Sequence, residues 1–145
     1  MKKFRVIFSL ALLVLISGCF GPTNDKEAYE AWATKITDKR EQLVYPDPSK
    51  IKKEEKKFKE NLESYKKIIE EGNNIELTDE LKEQHKTKVY QLLKDDSLEL
   101  AKIYKYRDFK NNKDITKFNN AVDKINKNRI TIPNEINKII DEMYK

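Results

Sequence analysis

Apolar residues in this chain of 145 residues recur every three or four positions between short turn signals. That spacing places them on one face of an α-helix, whereas a half-buried strand would alternate apolar and polar residues. Alternation of the second kind does not persist beyond residues 130–132, and the chain has no internal repeat. Because the connections are short, the sequence predicts an all-α fold, an elongated antiparallel bundle of about four helices.

Caps and breakers divide the periodic stretches into separate helices. A cap at Asn24 predicts a first helix to about residue 44, and two prolines around Asp47 predict a second over about 48–71. Thr78 is the expected cap of a third helix that reaches about residue 109, with a weak or bent point at 95–97.

The last part of the chain is expected to hold one helix and a shorter one. Ile115 begins a regular stripe that continues to Ile125. Residues 128–133 interrupt it, and Pro133 suits the first position of a final short helix.

The first two helices carry the clearest apolar stripes. In helix one, Lys39 or Arg40 fills a missing position in the stripe formed by Tyr29, Trp32, Ile36 and Leu43. Helix two has a heptad-like, coiled-coil spacing. Its members are Ile51, Phe58, Leu62, Tyr65 and Ile69.

The first eighteen residues have the pattern of a secretory signal peptide. Lys2, Lys3 and Arg5 precede an apolar run from Val6 to Ser17. This run is shorter than the roughly 20 apolar residues that a spanning helix needs.

The end of this segment, Ile16-Ser17-Gly18-Cys19, resembles the lipobox of bacterial lipoprotein precursors. The resemblance implies cleavage between Gly18 and Cys19 and a diacylglyceryl group, carrying acyl chains such as palmitate, on the Cys19 thiol. Cys19 is the single cysteine of the chain, and lipidation accounts for the odd count. The alternative is a signal peptide or a short buried helix with an incidental cysteine.

This interpretation divides the chain into three parts. Residues 1–18 are the expected signal peptide, residues 19–24 a short tether, and residues 25–145 the helical bundle domain. The expected location is the extracytoplasmic face of the cell membrane. The content of lysine, asparagine and isoleucine is typical of a low-GC Gram-positive bacterium.

The charge of the mature part argues against nucleic-acid binding. The whole chain has a formal charge of +5, but residues 1–18 supply three of these positive charges and no acid. The remainder is close to neutral, whereas nucleic-acid binders keep a basic excess in the folded part.

No residue pattern indicates catalysis, a metal site or a cofactor. His85 is the only histidine and lies near an apolar stripe, which favours a packed or boundary histidine. The neighbouring acids 54–55, 70–71, 79–80 and 95–96 point to different sides of a helix, so they are interpreted as solvated surface. We therefore expect a protein that is not an enzyme.

The remaining candidates for a functional site are surfaces of the bundle. The charged run 50–60 is interpreted as a solvated bundle face, with contact to anionic lipid headgroups as the alternative. Aromatic residues usually pack in a core, yet those of a thin bundle would form a partner surface. The candidate residues are Trp32, Tyr90, Tyr104, Tyr106 and Phe109.

Together these features predict a membrane-anchored lipoprotein whose bundle acts as a non-enzymatic interaction module for a protein or a cell-envelope component. A lipoprotein that binds a small ligand or an ion is the alternative.

Overall fold

The computed structural model describes residues 25–43 and 47–145, and every regular element among them is helical. This confirms the all-α prediction. The elements are α1 (Asp25–Glu41), α2 (Pro48–Lys53), α3 (Glu55–Gly72), α4 (Asp79–Gln84), the π-helix π1 (His85–Tyr90), α5 (Gln91–Tyr106) and α6 (Asn112–Met143). They form four segments: α1, α2–α3, α4–π1–α5, and α6.

Contacts between side chains establish that neighbouring segments run antiparallel. Lys35 of α1 pairs with Glu71, while Lys39 of the same helix reaches Asn61. Glu99 of α5 accepts from Lys124, whereas Asn128 of α6 reaches the earlier residue 96. The fourth segment returns to the first, since the Tyr144 hydroxyl donates to Glu30. The result is an up-down-up-down four-helix bundle.

The second segment is not the single helix that the periodicity predicts. Asp47 caps α2 by accepting from the Ser49 amide at 2.8 Å, and the helix breaks at Glu54, where φ is −113° and ψ is 30°. Ile51 and Phe58 are fully buried on either side of the break. No apolar residue lies between them, so no buried side chain holds this turn straight.

The third segment deviates from an α-helix, but not where the sequence suggests. Thr78 caps it as expected. Residues 95–97 are regular α-helix within α5, so the predicted bend is wrong. The irregularity is instead π1, a wider turn that is commonly found at functional or strained positions.

The fourth segment is one helix of 32 residues with Pro133 inside it, so the predicted break at 128–133 is wrong. A proline inside a helix removes a backbone hydrogen bond and costs about 3 kcal/mol. Buried isoleucines on both sides of it, Ile132 and Ile136, contribute a similar or larger stabilisation, about 1.5–3 kcal/mol each. Tertiary packing therefore overrides the local signal.

A buried polar cluster at the middle of the bundle joins all four segments. The Asp96 side chain is fully buried and accepts two bonds from Arg40, from Nε to Oδ2 at 2.8 Å and from Nη2 to Oδ1 at 2.9 Å. The Tyr65 hydroxyl donates to Oδ2 at 3.0 Å, and Asn128 Nδ2 donates to Oδ1 at 2.9 Å. Arg40 also donates to the Ile125 carbonyl at 2.8 Å. We call these five residues the central cluster.

The central cluster corrects the interpretation of residues 95–96 as a solvated pair. Asp95 is exposed, but Asp96 is not. The central cluster also shows that Arg40, and not Lys39, fills the missing position in the apolar stripe of α1, since Arg40 is 4% exposed. Burial lowers the pKa of Arg40, but the bonds and charge of Asp96 outweigh this and raise the pKa above its ordinary value. Arg40 is therefore held in its charged form inside the bundle.

We expect Asp96→Ala to lower the free energy of unfolding by about 3–5 kcal/mol, because it leaves the Arg40 charge buried without a partner. Asp95→Ala, a change to the exposed neighbour, should alter it by no more than about 0.5 kcal/mol. Urea unfolding followed by circular dichroism measures both. Equal effects of the two substitutions would contradict the assigned role of the central cluster.

Candidate functional site

The predicted cleavage and lipidation residues Gly18 and Cys19 lie outside the described residues, as does Asn24, the expected cap of the first helix. The five candidate aromatic residues are all described, and the structure divides them between the two ends of the bundle.

Trp32 belongs to the core and not to an exposed surface. It is 5% exposed, and its indole Nε1 donates to the Ile68 carbonyl at 2.7 Å. Its ring packs so closely on α3 that a Cβ added to Gly72 would lie 2.6 Å from it. Glycine is required at position 72 by this close approach, and its φ is not positive.

Tyr90 lies in the same half of the bundle as Trp32. Its side chain is half-buried, and its hydroxyl donates to the Glu70 carboxylate at 2.9 Å. Tyr90 therefore joins the third segment to the second, and neither it nor Trp32 lies near the other three candidates.

The structure brings Tyr104, Tyr106 and Phe109 together at the opposite end. The Tyr104 ring stacks on Phe58 with centroids 5.6 Å apart, and the Arg107 guanidinium lies 4.0 Å from the Tyr104 centroid. The Tyr104 hydroxyl donates to Glu55. Both the ring and the hydroxyl of Tyr104 are thus occupied by neighbours.

Glu55 organises the positive charges around Tyr104. It accepts from Lys59 at 2.8 Å and from Arg107 at 3.2 Å. The hydrogen bond from Lys59, followed by that from Tyr104, lowers the pKa of Glu55 to about 2. This carboxylate therefore stays ionised and holds α3 against the end of α5.

Tyr106 lies between two lysines. Lys105 and Lys117 place their ammonium groups 5.4 and 4.7 Å from its ring centroid. The Lys117 ammonium also donates to the Tyr106 hydroxyl at 3.3 Å, which lowers the pKa of this tyrosine. The ring and the cations form one mixed aromatic and basic surface.

Phe109 ends the third segment in a strained conformation. Its φ is +38°, a value that usually selects glycine and costs other residues about 1–2 kcal/mol. Its ring meets Phe118 edge-on with centroids 5.1 Å apart and an interplanar angle of 90°. Phe109 and Ile115 each remain 39% exposed.

The end that contains these three residues is strongly basic. We define the basic end as residues 47–59 and 102–118, which contain twelve Lys or Arg and five Asp or Glu. Six of its lysines form no ion pair with any described residue. They are Lys50, Lys53, Lys105, Lys110, Lys113 and Lys117.

The other end is strongly acidic. We define the acidic end as residues 25–32, 68–86 and 137–145, which contain eleven Asp or Glu and five Lys. The nearly neutral net charge of residues 19–145 therefore hides two ends of opposite sign. The charges look interleaved along the sequence and separate only when the antiparallel fold brings distant stretches together.

The charged run 50–60 contributes to the basic end. Its lysines are exposed while Ile51 and Phe58 are fully buried, which agrees with the expected solvated face.

His85 is buried in π1 and faces two aromatic residues. Its Nδ1 is hydrogen-bonded to the Tyr29 hydroxyl at 2.9 Å, and its ring meets that of Trp32 edge-on at 5.1 Å. Its Nε2 has no hydrogen-bond partner among the described residues. Burial lowers the pKa of His85 to about 4, so the ring is neutral near pH 7.

An open groove of about 580 Å³ lies between α5 and α6. Glu99 lies along it and is bridged by Lys102 at 2.8 Å and Lys124 at 3.0 Å. Because these side chains pair with one another, the groove offers few free charged groups to a small ligand.

Within residues 25–43 and 47–145, no group of three or more His, Cys, Asp or Glu side chains is placed to hold a metal ion. No helix of the same part is long and apolar enough to cross a membrane.

No protein-family model, curated protein or solved structure matches the chain. The functional argument therefore depends on the residues themselves.

We expect stability to fall as the pH drops, because His85 gains a proton more readily in the unfolded chain. Its pKa is about 4 in the folded protein and about 6.5 when unfolded. The stabilisation is fully present above about pH 6.5 and is lost toward pH 4, which amounts to about 2 kcal/mol between pH 7 and 5.

His85→Gln removes the titrating group and keeps a side chain that can bond to Tyr29. Urea unfolding of both proteins at several pH values isolates the histidine contribution. If the variant and the parent lose the same stability between pH 7 and 5, His85 is not the group responsible.

Proposed function

We propose that the protein is a lipoprotein anchored by Cys19 to the outer face of the cell membrane, with its helical bundle acting as an interaction module. The observation that carries the proposal is the lipobox Ile16-Ser17-Gly18-Cys19 directly before the bundle. The basic start and short apolar run that precede the lipobox support export.

The position of α1 adds a geometric consequence to this proposal. Five residues separate Cys19 from Asp25, where α1 begins, and they span at most about 20 Å. Asp25 lies at the acidic end, so an anchored bundle holds its acidic end next to the bilayer. The basic end then faces away from the lipid, where an envelope component or another protein can reach it.

Two acyl chains on one residue are the usual requirement for stable membrane anchoring. A diacylated Cys19 meets this requirement without a spanning helix. It also gives the single cysteine a role in attachment that uses the nucleophilicity of its thiolate.

We expect Cys19→Ala to abolish fatty-acid labelling and to release the protein from the membrane fraction. The test expresses the full chain in a Gram-positive host that is fed a palmitate analogue, and determines the mass of the product. The parent chain should lack residues 1–18 and carry a diacylglyceryl group.

Ser17→Ala keeps a small residue at its position and serves as the control, since it should be labelled like the parent. Labelling of the Cys19→Ala variant, or an intact and unlabelled parent chain, would disprove the anchor.

The interaction module is tested separately by photo-crosslinking in the native membrane. A crosslinker at Lys113, on the basic end, should capture a specific component, whereas one at Lys86, on the acidic end, should not. Capture of the same components at both positions would contradict an interaction role for the basic end.

A further inference from the structure

We propose that the basic end binds a linear phosphodiester polymer of the cell envelope. The assignment of the polymer to the envelope rests on the proposed lipid anchor. The binding itself rests on the charges and contacts of the basic end, which are independent of the anchor.

The six lysines of the basic end that form no ion pair with a described residue come from separate elements, which meet at one end of the bundle. Lys50 and Lys53 lie on α2, Lys105 on α5, and Lys113 on the first turn of α6. Three contacts hold these elements together. They are the Glu55–Arg107 pair, the Lys52–Asp108 pair at 2.9 Å and the Phe109–Phe118 ring contact. The fold therefore gathers these lysines at one end of the bundle.

The side-chain chemistry matches a flexible polyanion. Eleven of the twelve cations are lysines, and a lysine ammonium is a point charge with three donors on a flexible stem. Lysine ammonium groups can pair with successive phosphates of a flexible chain, because they do not need the fixed two-point geometry of an arginine guanidinium. Release of counterions from the polymer then supplies most of the binding free energy, as it does for other phosphodiester chains.

The aromatic residues of the basic end do not favour a nucleic acid. Single-stranded binders stack bases on exposed aromatic rings. Here Phe58 and Arg107 cover the Tyr104 ring, and lysines flank the Tyr106 ring. Phe109 is the one exposed aromatic residue among these three, and Phe118 packs against its ring. A polymer of phosphates and polyols needs no such stacking surface.

The opposite charge of the two ends argues against an anionic bilayer as the target. A bundle lying flat would bring both ends to the lipid, so that repulsion of the acidic end offsets attraction of the basic end. An upright bundle places the basic end about 48 Å from the lipid, since α6 has 32 residues. This distance is several times the Debye length of about 8 Å.

The experiment measures binding of purified full-length protein, in detergent, to fluorescent poly(glycerol phosphate) at increasing salt. Polyglutamate of equal charge, single-stranded DNA, and vesicles of phosphatidylglycerol and phosphatidylcholine are the competing probes. The variant is Lys110→Glu with Lys113→Glu. Its control is Lys82→Glu with Lys86→Glu, which changes the total charge equally at the acidic end.

We expect binding of poly(glycerol phosphate) to weaken linearly on a logarithmic salt scale. The basic-end variant should bind about tenfold more weakly or worse, and the control should match the parent. Glutamate near the start of α6 suits the positive end of the helix dipole, so the variant should fold normally, as a thermal melt would verify.

Equal loss in the two double variants would overturn the proposal, as would an affinity for polyglutamate or DNA as high as for the phosphate polymer. Vesicle binding that depends on Lys110 and Lys113 would assign the basic end to the bilayer instead. Because Cys19 labelling is a separate measurement, loss of the anchor with retained polymer binding would contradict only the proposed location.

Discussion

A single buried carboxylate, that of Asp96, determines how the four segments meet. Asp96 lies on the third segment, and the other three segments each provide a hydrogen-bond donor to its carboxylate. The fourth segment also accepts a hydrogen bond from Arg40, which neutralises this charge. Sliding any segment by one turn, about 5.4 Å, would break its bond and leave a buried charge incompletely paired. Apolar stripes alone tolerate such shifts more easily, because leucine and isoleucine side chains can repack. The central cluster therefore specifies the register that the apolar residues stabilise.

The half of the bundle near π1 depends on shape more than on charge. Trp32 fits against the backbone at Gly72, where any larger residue would collide with the ring. The wider turn of π1 places His85 against Tyr29 and Trp32, and one ring nitrogen of His85 has no hydrogen-bond partner in the described part of the chain. The two regions exclude alternative packing arrangements of the helices by different means. Polar pairing does so in the middle of the bundle, and steric fit does so near the start of α1.

The sequence predicted the helices because amphipathic periodicity is local, and it failed where distant residues decide. Pro133 is a helix breaker by local rules, yet buried isoleucines on both sides keep α6 continuous. Asp96 looks like any charged neighbour of Asp95 until Arg40 is brought to it from 56 positions away. The aromatic residues of the basic end were identified by type, whereas the separation of charge between the ends needed the antiparallel topology. The anchor at Cys19 stays a prediction of the sequence.

The separation of charge between the two ends also governs the lateral interaction between copies of the protein. Two bundles standing parallel bring acidic end beside acidic end and basic end beside basic end, so they repel at both levels. At physiological ionic strength this repulsion acts within about 8 Å of the surface. Under the proposed anchor, copies on one membrane would share one orientation, and each would keep its neighbours from touching it. Such a protein would spread evenly over the membrane rather than cluster.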